Sequence, residues 1–145
     1  MSRRETEQND DWYDKAFYRT SAVALIRNDK GQVLMVNEHG RLTLPGGGWD
    51  YGESLHEALA RELYEEIKLT SDFTEHMITA LPFYNPNRDV WHMWVACRLE
   101  YKTLDFSIGD HASEVRWCNE NEINEDDLAG KLTLQVLKQA RGDVQ

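Results

Sequence analysis

The run "VWHMWVACRLEY", Val90 to Tyr101, limits the possible folds more than any other stretch of this chain. Its first eight positions are apolar or aromatic on both alternating faces, and only then do Arg98 and Glu100 mark one side as polar. A strand exposed on one face alternates apolar with polar, so this pattern describes a strand central to a sheet that is covered on both faces. Cover on both faces requires layers. The rest of the chain supplies them. "TSAVALIRNDKGQVLMVNE" reads as two strands, Thr20 to Arg27 and Gln32 to Glu38, in a hairpin turned at Asn28-Asp29-Lys30-Gly31. "PGGGWDYGE" reads as a loop, followed by a helix from Ser54 to about Ile67. Strands are also expected from about Phe73 to Tyr84 and over "SEVRWC", and an amphipathic helix over "LTLQVLKQA" with Leu134, Val136 and Leu137 inward. The expected class is α/β, with a mixed sheet between helices.

No repeat, low-complexity tract or Pro/Ser linker divides the 145 residues, and 41% hydrophobic content suits one domain with a core. Residues 1–15 are polar and acid-rich and read as an arm, with a short helix near Trp12 to Phe17; residues 16–145 read as the domain. Cys97 and Cys118 lie in apolar strand-like runs without metal-ligand spacing, and are expected as buried thiols in a reducing compartment. No run reaches the roughly 18 apolar residues of a membrane span, and the start lacks a signal peptide's apolar core, so the expected location is the cytoplasm. A net charge of -10 opposes nucleic-acid polymers and leaves small anionic ligands, held through a metal, as partners.

The helix carries the chemistry. Ser54-x-x-Glu57 is a capping box at its start. At about 100° per residue, Leu55, Leu59, Leu63 and Ile67 form an apolar stripe that overlaps a stripe of Glu62, Glu65 and Glu66, with Glu57, Arg61 and Tyr64 on the outer side. Each Glu pair repels by roughly 0.2 to 0.5 kcal/mol, and all three glutamates stand near the negative end of the helix dipole. Glu66 falls at the edge of the buried face. A merely solvated patch would not be built there, and three converging carboxylates suit a hard divalent cation, Mg²⁺ or Mn²⁺.

From Gly47 to Leu69 the chain resembles the Nudix hydrolase family, whose motif is G-x5-E-x7-R-E-U-x-E-E-x-G-U with U a bulky aliphatic residue. Gly47, Glu53, Arg61, Glu62, Leu63, Glu65, Glu66 and Leu69 match, and the preceding "LPGG" is typical. The resemblance implies an α/β/α sandwich that hydrolyses a nucleoside diphosphate linked to another group. It also implies metal ligation by Glu62, Glu65, Glu66 and the Gly46 carbonyl, with Arg61 pairing Glu53 to hold helix against loop. The general base is Glu62, or Asp110 or Glu114 from "GDHASEVRW"; His111 is a weaker candidate.

One position departs from the motif: Lys68 stands where it has glycine. A left-handed cap there costs a lysine roughly 1 kcal/mol, and the cost falls on the helix end rather than on a ligand. Arg19, Arg41, Gly47 and Tyr84 are candidate substrate contacts and Arg88 a further phosphate contact; Trp49, Tyr51, Phe83, Tyr84 and Trp91 are candidates for base stacking, although core packing is the commoner fate and is expected for Trp94 and Trp91. The substrate is open among nucleotide sugars, ADP-ribose, nucleoside triphosphates and dinucleoside polyphosphates, as is homodimer formation. A non-catalytic nucleotide sensor of the same fold is the alternative, and retention of all three glutamates favours the enzyme.

Overall fold

A computed structural model describes residues 15–107 and 114–142. The turn at Asn28 forms as expected: its side-chain Oδ1 accepts from the Lys30 and Gln32 backbone N–H groups, and Gly31 takes a positive φ of 78°. The strands it joins, β1 (Arg19–Leu25) and β2 (Val33–Glu38), do not form the expected hairpin ladder. They meet only at the neck, through a bridge between Arg27 and Val33 and a bond from Leu34 N–H to the Ile26 carbonyl, and then enter different sheets. The reason lies in their burial. Ala22–Ile26 and Val33–Val36 are buried on both faces, so each strand sits inside a sheet and takes neighbours on both edges.

Strand β1 lies between β4 (Gly46–Gly48), antiparallel, and β6 (Val90–Glu100), parallel; β5 (Thr74–Asn85) completes a mixed sheet in the order β4-β1-β6-β5. The two-faced run is thus an interior strand, as its pattern requires. Strand β2 is central between β3 (Arg41–Thr43) and β7 (Glu114–Cys118) in a second, antiparallel sheet. The glycine-rich stretch, expected as a loop, is a short strand over Gly46–Gly48.

Two helices close the layers. The α1 helix (Leu55–Ile67) sets Leu59, Leu63 and Ile67 against Ala22, Ala24, Val95 and Cys97 of one sheet and Leu34 and Val36 of the other. On the opposite side, α2 (Leu128–Ala140) packs Leu132, Val136 and Leu137 on Val23, Leu25, Ala96, Val33 and Met35. Alternate residues of β2 therefore serve two cores, and the α/β/α sandwich follows. Leu134, expected inward, is only partly buried.

Cys97 and Cys118 are buried free thiols, and burial raises the Cys97 thiol to about 11. Trp94 is buried at 9% exposure, but Trp91, expected in the core, is half exposed: it stands near the start of β6, on the face whose later residues Val95 and Cys97 are buried with α1. The expected arm lies outside the described residues except for Lys15, and Lys15–Phe17 form no helix. Among the described residues no helix is long and apolar enough to cross a membrane.

Candidate active site

The α1 helix begins as its sequence demands. Ser54 Oγ accepts from Glu57 N–H at 3.1 Å, and a Glu57 carboxylate oxygen accepts from Ser54 N–H at 2.8 Å. Its other end is closed by Lys68, which adopts φ 52° and ψ 37°, with its N–H on the Tyr64 carbonyl at 2.9 Å and its ammonium 4.9 Å from the Tyr64 ring centroid. Lysine thus takes the left-handed conformation that glycine would take without strain.

Between these ends, Arg61 is not on the outer side as the helical wheel suggested but inside an acidic ring. Its Nε donates to Glu53 Oε2 at 2.6 Å and its Nη2 to Glu53 Oε1 at 2.8 Å, a two-pronged contact that a planar guanidinium favours. Nη2 also donates to the Gly48 carbonyl at 2.8 Å, and Nη1 to Glu62 Oε2 at 2.7 Å, while Glu65 stands 3.5 Å away. Helix, glycine strand and connecting loop are tied through one side chain. The Arg61 bonds hold the Glu53 carboxyl down at about 2, and Glu53 in turn raises the Arg61 guanidinium above its ordinary value.

The acids differ in their compensation. Burial raises Glu62 while its Arg61 bond lowers it, and the upward effect prevails. Gly47 packs against this carboxylate: a Cβ there would come within 2.2 Å of Glu62 Oε1. Glu66 is only 3% exposed, and it accepts from Gly46 N–H at 2.7 Å. Among the described residues the ion pairs of Arg61 reach Glu53, Glu62, Glu65 and Asp50, and not Glu66. Instead Glu66 meets a second carboxylate, Glu38, at the end of β2. Burial first and Glu38 second push Glu66 up to about 9.

These residues form one wall of a cleft of about 530 Å³. Its floor is the sheet face carrying Arg19, Ser21, His92, Trp94 and Phe83, and its far wall is made by Arg41, Thr43 and Leu44 with Leu128, Ala129 and Leu132 of α2. Of the expected residues, Gly46, Gly47, Glu62, Glu65, Glu66, Arg19 and Arg41 line this space. Arg61 and Glu53 stand behind the wall as its brace. Tyr84 is not brought in: strand alternation turns it to the other face, where its hydroxyl bonds Asp89 and its ring meets Trp91 at 5.6 Å, and Phe83 takes the cleft side. Glu114 also stays out, accepting from Asn37 Nδ2 at 2.9 Å at the start of β7. Asp110 and His111 lie outside the described residues. Glu38 and His92 line the cleft without having been read from the sequence. No spacing could have singled them out, since each reaches the site through sheet register.

A buried acid beside a second one, with no ion pair to either among the described residues, is a poor arrangement for two charges by itself and a good one around a divalent ion. The donor set, all oxygens, matches Mg²⁺ or Mn²⁺. Among the described residues, no group of three or more acidic, histidine or cysteine side chains is already gathered as a cage, and Glu62 is drawn toward Arg61. The fit is therefore one of chemistry and burial, with Glu62 having to exchange part of its Arg61 contact.

The sandwich sets an acidic helix against a glycine strand, and the comparisons give its family. Residues 17–137 match the NUDIX domain, and the chain belongs to that family. An RNA pyrophosphohydrolase of Shewanella piezotolerans is 26% identical over 77% of this chain and 70% of its own length. One of Ruthia magnifica is 46% identical, but the match spans 39% of this chain and only a third, 33%, of that protein. Among solved structures, a NUDIX hydrolase from Nitrosomonas europaea superposes with a TM-score of 0.71 at 18% identity, over 88% of this chain and 90% of that one. The MutT protein from Methanosarcina mazei gives 0.70 at 24%, over 90% and 99%. The NUDIX domain of Shewanella oneidensis NrtR, complexed with ADP ribose, gives 0.66 at 22%, over 94% and 95%.

Proposed function

We propose that this chain hydrolyses a pyrophosphate bond in a nucleoside diphosphate linked to a second group, with Mg²⁺ or Mn²⁺ as cofactor. The observation that carries the reading is Glu66, buried against Glu38 beyond the reach of Arg61, in the wall of a cleft whose other sides hold Arg19, Arg41 and Arg88. Carboxylates on one wall and guanidiniums on the others suit a polyanion held between a metal and arginines. Glu62, Glu65 and Glu66, with the Gly46 carbonyl, would hold the metal, which supplies charge neutralisation at the phosphoryl oxygens and acidifies water. Arg61 and Glu53 keep the helix registered on the glycine strand, so that these acids stay aligned.

In the reaction, a water oxygen forms a new bond to one phosphorus while the bridging P–O bond breaks. The bridging oxygen leaves with its electron pair on the second phosphate, and the water proton passes to a carboxylate. Glu62 is the proposed acceptor, supported by its place in the cleft and by the burial that raises its carboxyl. Glu114 is engaged by Asn37 outside the cleft.

The relatives' name introduces the 5′ end of an RNA as a rival substrate. A net charge of -10 favours small nucleotides instead. The test is a panel of ADP-ribose, nucleotide sugars, nucleoside triphosphates, dinucleoside polyphosphates and a 5′-triphosphorylated RNA with Mg²⁺, scored for released nucleotide or phosphate. Turnover of a small nucleotide supports the reading, and turnover of the RNA alone replaces the substrate class. Binding of one compound without turnover of any would make the domain a sensor. The buried free thiols Cys97 and Cys118 support a reducing, cytoplasmic setting.

A further inference from the structure

The cleft floor contains a histidine that the hydrolytic machinery does not use. His92 is 8% exposed and its Nδ1 is buried with no hydrogen-bond partner among the described residues. An unpaired buried polar atom is costly, which argues for a partner that the protein itself does not provide. The location of this atom is defined by strand register. Arg19 of β1 is paired with His92 of β6, and His92 with Phe83 of β5, so the three form one row across the sheet on the cleft side. Strands lie about 4.8 Å apart and rise about 3.3 Å per residue; two spacings across and the two to four residues along that separate the Arg19 row from Gly48–Gly46 place His92 roughly 12–16 Å from the glycine strand at the acidic wall. That is room for phosphates between the two.

The chemistry of the row separates its members. Burial, with the charges of Arg19 and Arg88, lowers the His92 pKa below the ordinary imidazole value, so the ring is neutral near pH 7. A neutral imidazole has one N–H and one lone pair and offers a phosphate no charge, whereas the arginines do. It suits an uncharged polar edge. Phe83 lies 5.4 Å from the imidazole at 31°, and its ring meets Trp94 edge-on at 6.2 Å, so the imidazole sits among aromatic surfaces. A flat ring with hydrogen-bonding edges matches both properties. Nδ1 itself is buried, so its contact with a ligand requires a half-turn of the imidazole about its Cβ–Cγ bond, which exchanges Nδ1 with Cδ2.

We propose that His92 is a specificity-determining residue: with Phe83 it receives the nucleobase of the substrate and selects among bases by a hydrogen bond, while Arg19 and Arg88 take phosphate. This rests on the reading that the cleft accepts a nucleoside diphosphate derivative, and it predicts that binding depends on the base.

The test measures binding of the α,β-methylene analogues of ADP, GDP, CDP and UDP with Mg²⁺ by calorimetry, against methylenediphosphonate as a probe with no base. At least one nucleotide is expected to bind about tenfold or more tighter than the base-free probe, and His92→Phe to lose about tenfold on that nucleotide alone, the size of a hydrogen bond. Four nucleotides no better than methylenediphosphonate would overturn the proposal. So would an equal loss on both probes, or a preference that survives the substitution. If the variant does not fold, imidazole ¹⁵N spectra of the wild-type protein decide: one histidine must respond to the preferred nucleotide and not to the base-free probe, and no such response refutes the proposal. Turnover assayed in parallel separates the two readings. Base preference without hydrolysis retains this inference and ends the hydrolase reading; hydrolysis without base preference does the reverse.

Discussion

The two sides of the cleft are built in opposite ways. The acidic wall comes mainly from one contiguous stretch, Gly46 to Lys68, whose strand, loop and helix are tied by Arg61, with Glu38 of β2 joining it from outside. The floor comes from three strands far apart in sequence, and its working row exists only because Arg19, His92 and Phe83 share a register. The wall is local and crowded with like charge; the floor is distributed and sparse. A wall of this kind suits a step common to all substrates, and a floor of this kind suits choice among them.

Glu66→Gln is the severest trial of that division. It keeps the shape and removes the acid, and is expected to cut the metal-dependent rate about a hundredfold or more on every substrate alike, read as initial rates over the panel. A loss confined to one nucleotide would make the wall selective and break the contrast.

The neighbouring glycines sharpen it next. A Cβ on Gly46 would meet the Ala22 carbonyl oxygen at 2.2 Å at a φ of 137°, while one on Gly47 would meet only the movable end of Glu62. Gly46→Ala should therefore destabilise the fold by ~2 kcal/mol or more in denaturant melts. Gly47→Ala should fold normally and lose about tenfold in rate by displacing Glu62, a proposed metal ligand. Equal stability losses would mean that Glu62 is fixed by more than its own side chain.

A pH titration of the metal-free protein isolates the wall's charge. Glu66 is raised from 4.5 to about 9 in the folded state, so between these values the folded chain holds a proton that the unfolded chain has released. Stability therefore falls as pH rises through this window, by at most about 1.4 kcal/mol per unit for one proton. Glu66→Gln should flatten the dependence. An equal pH dependence of wild type and Glu66→Gln in chelator would contradict a proton held between Glu38 and Glu66, since contributions from other groups such as His92 are common to both proteins.

The smallest effect belongs to Lys68. Replacing it by glycine relieves a left-handed residue and should stabilise the helix end by ~1 kcal/mol with activity unchanged. A hundredfold gain in rate would instead connect this position to the metal.

The same contrast explains what was legible in the sequence. Ser54, Glu57, Glu62 and Glu66 announced themselves through helical spacing, because a helix sets its neighbours within one turn. The two-sided burial of β6 was also legible. The partners of β1 and β2 were not: the turn at Asn28 is a local event, but the ladder beyond it depends on which strands compete for each edge. Tyr84 and Phe83 could not be told apart for the same reason, since adjacent strand residues exchange faces with a one-residue change of register. Glu38 stayed hidden because nothing local shows that the end of β2 will meet Glu66.

Strand β6 also carries an optical consequence. Trp94 is buried on the cleft floor and Trp91, three residues earlier, is half exposed on the opposite face. One indole emits from an apolar setting beside any molecule that enters the cleft, and the other from water. With Trp12, Trp49 and Trp117 replaced by phenylalanine, this one strand would provide an inner fluorophore that senses occupancy and an outer one that serves as its reference.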